Sequence, residues 1–316
     1  MTISYTPIDL SRLTTYPLRG RISKVSCVDF AKAWKKGARF KDFLSGLPNI
    51  LAGRDIQKVI SKIVTAYENK RRVILGIGAH VIKVGLNPIV VDLMERGIIS
   101  AVAMNGAGII HDLELAITGR TSEDVATSLK DGTFGMARET GAFLGDAIRK
   151  AGDMSIGLGE AVGQCIADEN FPYRDQSILA TGYRMGTPVT VHIAIGTDII
   201  HLHPDFNPSA AGSASHRDFR IFASIIADLE GGVYLNVGSA VILPEVFLKA
   251  VTLVRNLGYR LENFTTVNMD FIRQYRPTVN VVDRPTAGGG EGFNLIGHHE
   301  IMLPIIAAGI IEQIDT

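Results

Sequence analysis

The sequence predicts an α/β protein built on a doubly wound, mostly parallel sheet with an N-terminal helical extension. Two observations carry the prediction. After Arg72, short apolar runs that end in small residues alternate with stretches of helical spacing, and such alternation implies parallel strands whose crossovers place helices on both faces. No low-complexity linker or internal repeat divides the 316 residues, a length sufficient for one large core without disulfides.

Residues 1–70 read as the extension. "FAKAWKKGARFKDFLSGL" and "DIQKVISKIVTAYENKRR" have helical character, and Ile56, Val59, Ile60 and Ile63 fall on one face of the second, with Asp55 near its start. The lysines read as a solvated face. Residues 71–316 read as one compact unit. "RRVILGIGAH" is a strand leading to the helix "NPIVVDLMERG". "IISAVAMNGAG" is a strand leading to the helix "HDLELAITG", with the change of character at His111 and Asp112. Residues 120–180 suggest helices joined by glycine turns. "TPVTVHIAIGTD" and "GGVYLNVGSA" are further strands, the latter feeding "LPEVFLKAVTLVRNLG".

Lys+Arg and Asp+Glu balance at 32 each, so no electrostatic footprint for nucleic acid or an anionic membrane is expected. Cys27 and Cys165 lack CxxC spacing, which indicates neither a zinc clip nor a disulfide framework and fits a reducing cytoplasm. No apolar run reaches the roughly 18 residues of a membrane span, so a soluble, cytoplasmic protein is expected.

In open parallel sheets, ligands sit beyond the carboxyl ends of the strands. That rule selects Gly76–Gly85, Asn105–Asp112, Gly196–Asp205, Asn236–Ala240 and "TAGGGEGFNLIGHHE". All eight histidines follow residue 79, most of them in or beside these segments. Recurrent small residues there suit backbone that approaches a phosphate, and the glycine triplet reads as a ligand loop with Glu291 on the substrate side. "HLHPD" would put His201 and His203 on one face of a strand, also toward substrate. No fixed ligand spacing assigns a metal. Asp112 and Asp198 suit helix capping or a cationic substrate. No nucleophile elbow or well-placed lysine supports covalent catalysis.

"GAHVIKVGLNPIVVDLMERGIISAVAMNGAGIIHDLELA", "TPVTVHIAIGTDIIHLHP", "GGVYLNVGSAVILPEVFLKAV" and "GHHEIMLPIIAAGI", in that order, resemble the deoxyhypusine synthase family over residues 70–316. The resemblance implies a Rossmann-like fold, NAD at the strand ends, and a homotetramer made of two tight dimers. It implies that NAD lies along Gly78, Ala79, His80 and Gly85, then Asn105, Gly106, Ala107 and Gly108, then Asn236, Gly238 and Ser239. His111 and Asp112 would then face a small-molecule substrate.

The departures are chemical. The family's two adjacent polyamine-binding glutamates correspond to Ile110 and His111, and its imine-forming lysine falls near "VNVVDRPTAGGGEGF", where Arg284 cannot act as a nucleophile. The expected activity is therefore NAD-dependent chemistry on a different substrate, with His111 or the His298 and His299 pair as general base and Asp112 and Asp198 beside the substrate. The alternatives are a metal-assisted hydrolase or lyase using His201, His203, Asp205 and the C-terminal His298 and His299, and a non-catalytic ligand-binding relative.

Overall fold

The computed structural model describes residues 4–314. In chain order the elements are α1 (Phe40–Ser45), α2 (Leu51–Glu68), β1 (Val73–Ile77), α3 (His80–Lys83), α4 (Asn87–Glu95), β2 (Ala101–Asn105), α5 (Gly106–Thr118), α6 (Val125–Ser128), α7 (Arg138–Met154), α8 (Leu158–Asp168) and α9 (Ile178–Met185). They continue with β3 (Val189–His192), α10 (Pro208–Ala227), β4 (Val233–Val237), α11 (Ile242–Asn256), β5 (Thr265–Asp270), α12 (Tyr275–Pro277), α13 (Arg284–Thr286), β6 (Glu291–Ile296) and α14 (His299–Ile311). A π-helical segment, Thr278–Asp283, joins α12 to α13.

The six strands form one sheet in the order β3-β2-β1-β4-β5-β6, and all five pairings are parallel. A doubly wound Rossmann-like fold follows. Alternate side chains feed two cores. Ile74 and Tyr234 face Phe222 and Phe247, with the Tyr234 and Phe247 rings stacked 3.9 Å apart, while Leu75, Ile77, Met104 and Val237 face the helices opposite. Strand β3 is an edge, and an uncovered edge is a pairing hazard. α10 covers it with side chains: Asp218 Oδ2 accepts from the Val191 amide at 2.8 Å, and Ser215 Oγ accepts from Ile193 N and donates to Val191 O.

Three expectations need correction. α2 belongs to the α/β body, because Ile56, Val59, Ile60 and Ile63 pack into the core, whereas residues 4–39 contain only the 3-10 turns Leu18–Gly20 and Cys27–Asp29. The helix expected across residues 30–47 is reduced to Phe40–Ser45, since Gly37 adopts a left-handed φ of 85° that interrupts it. The strand-to-helix change falls at Asn105/Gly106, five residues before His111, because Gly106 and Gly108 lie inside the helix, where neighbouring side chains fill the space of a Cβ. Strands β5 and β6 carry Thr266, Asn268 and Asn294 toward one face, which removed the apolar signature from the sequence.

Candidate functional site

Between β1 and β4 the strand order reverses direction, and crossovers leave the sheet toward opposite faces. The crevice outside the carboxyl ends of these strands is where such folds bind ligands. Here the turns Gly78–His80 and Gly238–Ala240 meet the end of β5 at Asp270 and the start of α14 at His299.

The two turns are pressed together. Gly78 N donates to Val237 O at 2.9 Å, and a Cβ on Gly78 would lie 2.1 Å from Gly238 O. Gly238 has φ of 67° and donates its amide to Met269 O at 3.0 Å, and its Cβ position faces the His299 ring at 3.0 Å. His299 is buried. Its Nε2 lies 3.2 Å from Met269 O and 3.9 Å from Asp270 Oδ1, with the His80 ring edge-on at 5.7 Å. A carbonyl only accepts, so Nε2 carries the proton and Nδ1 is the basic nitrogen. Burial lowers the His299 pKa, opposed by the Met269 carbonyl and Asp270, which favours a neutral imidazole suited to accepting a proton. His298, its neighbour in sequence, is exposed and 3.8 Å from Glu300.

The remaining cofactor positions have other tasks. Asn236 is fully buried. Its Nδ2 donates to Ser239 O and to Asn268 Oδ1, both at 2.9 Å, and Asn268 donates onward to Asn294 at 3.1 Å, an amide ladder that fixes the β4 turn. Ser239 Oγ accepts from Leu243 N at 3.1 Å and caps α11. Gly85 ends α3 with φ of 80° and lies open. At α5 the expected phosphate cradle is filled: a Cβ on Gly106 would lie 2.1 Å from the Asp198 carboxylate, and one on Gly108 would meet the Met104 side chain. A carboxylate already occupies the positive end of this helix, where it would repel a pyrophosphate. Asp198 Oδ2 also accepts from Ala194 N at 3.3 Å, and burial raises its pKa. Asn105 and Ala107 thus belong to a turn held by Asp198.

Asp112 does not face the crevice. It lies in mid-helix with no exposure and accepts from Ser177 Oγ at 2.5 Å, Ile178 N at 2.9 Å, Leu179 N at 3.1 Å and Asn87 Nδ2 at 2.9 Å, capping α9 from a distance. His111, one residue earlier, points elsewhere: its Nδ1 is 2.6 Å from Thr121 Oγ1, which donates to Glu114 Oε2 at 2.6 Å. Because the threonine proton goes to Glu114, His111 donates from Nδ1 and keeps Nε2 as a lone pair. Burial, aided by Lys83, pulls its pKa to about 4. Glu114, Thr121 and Thr140 border a cavity of about 380 Å³. The sequence reading missed this relay, since Thr121 reaches His111 and Glu114 of α5 only through the turn of the loop after that helix, and Thr140 comes from α7.

Two expectations about ligand ends also change. His201 lies in the 3-10 turn Ile199–Leu202 and His203 directly follows it, so the two do not share a strand. His201 Nδ1 donates to Asp198 O at 2.8 Å and His203 Nε2 to Gly135 O at 2.9 Å, so they separate. Among the described residues no three His, Cys, Asp or Glu side chains converge as a metal site. Glu291 starts β6 at the amino end of the sheet, paired with Lys62 at 3.0 Å and Lys58 at 3.5 Å. The glycine triplet sits there too: a Cβ on Gly290 would meet Phe264 O at 2.5 Å. Arg284 bonds Asn280 Oδ1 at 2.9 Å.

No family model matches the chain, and no curated protein does. Solved structures do. A protein of Entamoeba histolytica proposed to be a deoxyhypusine synthase superposes with a TM-score of 0.53 at 12% identity, over 90% of this chain and 96% of that one. A conserved protein of Methanococcus maripaludis S2, proposed to be of the LOR/SDH type, gives 0.51 at 15% identity, over 83% and 70%. AgrE in ternary complex with ornithine and NAD+ gives 0.52 at 14% identity, over 82% of this chain and 33% of that one. The chain therefore spans about a third of the length of AgrE. At these identities the likeness establishes the fold, a Rossmann-like α/β sheet.

Proposed function

We propose that this chain is an NAD(H)-binding enzyme acting on a small substrate other than a polyamine, without an enzyme-lysine imine. The single observation that carries it is the convergence of His80, His299, Asp270 and Gly238 at the β1/β4 switch point, and AgrE offers a structural neighbour that holds NAD+ on a related fold. The fit is to the β1 and β4 turns and not to the β2 turn, where Asp198 fills the helix end. Ala79, His80 and Gly238 would hold the dinucleotide, with Ser239 shaping the β4 turn. Bound NAD would supply a two-electron acceptor. His299 would take the substrate proton at Nδ1 while the Met269 carbonyl holds Nε2–H, and Asp270 would stabilise the imidazolium that results. The missing lysine and the Ile110 and His111 pair remove imine formation and polyamine binding from this reading.

The metal-assisted hydrolase or lyase has less support, because His201 and His203 bond different carbonyls. The test is calorimetric titration with NAD. Saturable micromolar binding is expected, about tenfold weaker in His80→Ala. His299→Gln should still bind NAD but form no NADH in a screen of small alcohols and amines. Absence of saturable binding at millimolar NAD overturns the proposal.

A further inference from the structure

A cavity of about 310 Å³ opens at the amino end of the edge strand β3, between α8, α9 and α10. It belongs to the opposite end of the sheet from the β1/β4 crevice, which stands beyond the carboxyl ends of the strands. Close packing shapes it: a Cβ on Gly159 would run into the Val189 carbonyl and one on Gly182 into the Val189 side chain, so α8 and α9 press directly onto the strand. Leu179, Val189 and Ile221 give apolar walls, Glu160 and Tyr183 stand exposed at the rim, and Asp218 lines the cavity from α10.

Asp218 is 1% exposed, and its donors are neutral backbone amides. Gly159 N at 2.9 Å and Val191 N at 2.8 Å both reach Oδ2, and Leu158 N is directed at the same carboxyl. An asparagine oxygen would accept those bonds without the cost of a buried charge. What a carboxylate adds is a counter-charge, and no Lys, Arg or His lines the cavity to use it. Glu160 brings a second negative charge to bear on the same space. Apolar walls around one buried carboxyl suit a small ligand with a hydrophobic body and a cationic head. With Oδ2 already taken by two amides, the carboxyl has no free pair of oxygens for the fork of a guanidinium, whereas the point charge of an ammonium needs only one. Tyr183 adds an aromatic ring at the mouth.

We propose that this cavity binds a small primary monoamine with an aryl or branched alkyl body, its ammonium held by Asp218 and Glu160. Both carboxyls stand on the α8 side and the other walls are apolar, so a second ammonium would lack a partner. The proposal is independent of the NAD reading, since the cavity shares no residue with the β1/β4 crevice.

The test is calorimetric titration of the full chain with benzylamine, beside benzyl alcohol as its uncharged isostere. Saturable submillimolar binding of benzylamine is expected, about tenfold tighter than that of benzyl alcohol. Asp218→Asn should weaken it about 100-fold, and Glu160→Lys, at a solvent-facing position that spares the fold, about tenfold by placing a cation at the mouth. His80→Ala and added NAD should leave it unchanged, whether or not NAD itself binds. Absence of saturable binding at millimolar benzylamine overturns the proposal, as do equal affinities for the amine and the alcohol or binding indifferent to both carboxyl variants. Binding lost in His80→Ala would put the amine in the β1/β4 crevice and overturns it equally.

Discussion

Asp218 should make the stability of this protein fall as pH rises from 4 to 7. The carboxyl is 1% exposed, and its Oδ2 accepts from Val191 N at 2.8 Å and Gly159 N at 2.9 Å. Burial pushes its pKa from 3.8 up to about 7, against the pull of the Gly159 and Val191 amides and with a push from nearby Glu160. The folded state therefore holds a proton that the unfolded chain has released, and the contribution is complete below pH 4 and lost as pH climbs through 7. At about 1.4 kcal/mol per pH unit the whole window is worth about 4 kcal/mol, of which about 2–3 kcal/mol falls between pH 5 and 8. Two histidines, His192 buried and His111 half-buried, act in the opposite sense. His192 is held down to about 3 and His111 to about 4, both chiefly by burial, so both destabilise the fold as pH drops below about 6.5. Total stability hides these opposing slopes, but Asp218→Asn shares the histidines and removes only the carboxyl titration. Urea unfolding of both proteins at pH 5, 6, 7 and 8 should show the wild-type advantage shrinking by about 2–3 kcal/mol across the series. An advantage constant to within about 0.5 kcal/mol would mean that Asp218 is charged throughout, and the reasoning would be wrong.

Asp112→Ala should cost about 3 kcal/mol or more, because it strands the Ile178 and Leu179 amides, Ser177 and Asn87 in a dry interior; equilibrium unfolding measures this, and a loss under about 1 kcal/mol would show that the cap is not needed. Gly78→Ala should destabilise strongly, since its Cβ would lie 2.1 Å from the Gly238 carbonyl, and a thermal melt within a degree of wild type would refute the close approach of the two turns.

Strand-ending glycines and helical spacing after Arg72 made the doubly wound sheet legible in the sequence, as did the stripe Ile56, Val59, Ile60 and Ile63 for α2. These are local patterns, written in neighbours along the chain. Strands β5 and β6 were not legible because Asn268 and Asn294 satisfy each other across strands, with Asn236 of β4 donating to Asn268, and cross-strand pairing leaves no mark in either segment alone. Most of the candidate site was recoverable, since Gly78, His80, Gly238 and His299 follow from the rule that ligands lie beyond strand ends. Asp270 was hidden within an unrecognised strand, and Asp112 and Asn236 turned out to be structural anchors. The sequence by itself determined which residue types stand at the strand ends and which side chains can bury. Only the tertiary structure decided that Gly106 makes room for Asp198, that His299 rather than His298 turns inward over Gly238, and that His111 joins Thr121 and Glu114. Each of those outcomes depends on which atoms occupy the space beside a residue, and packing sets that across distances in the chain that periodicity does not span.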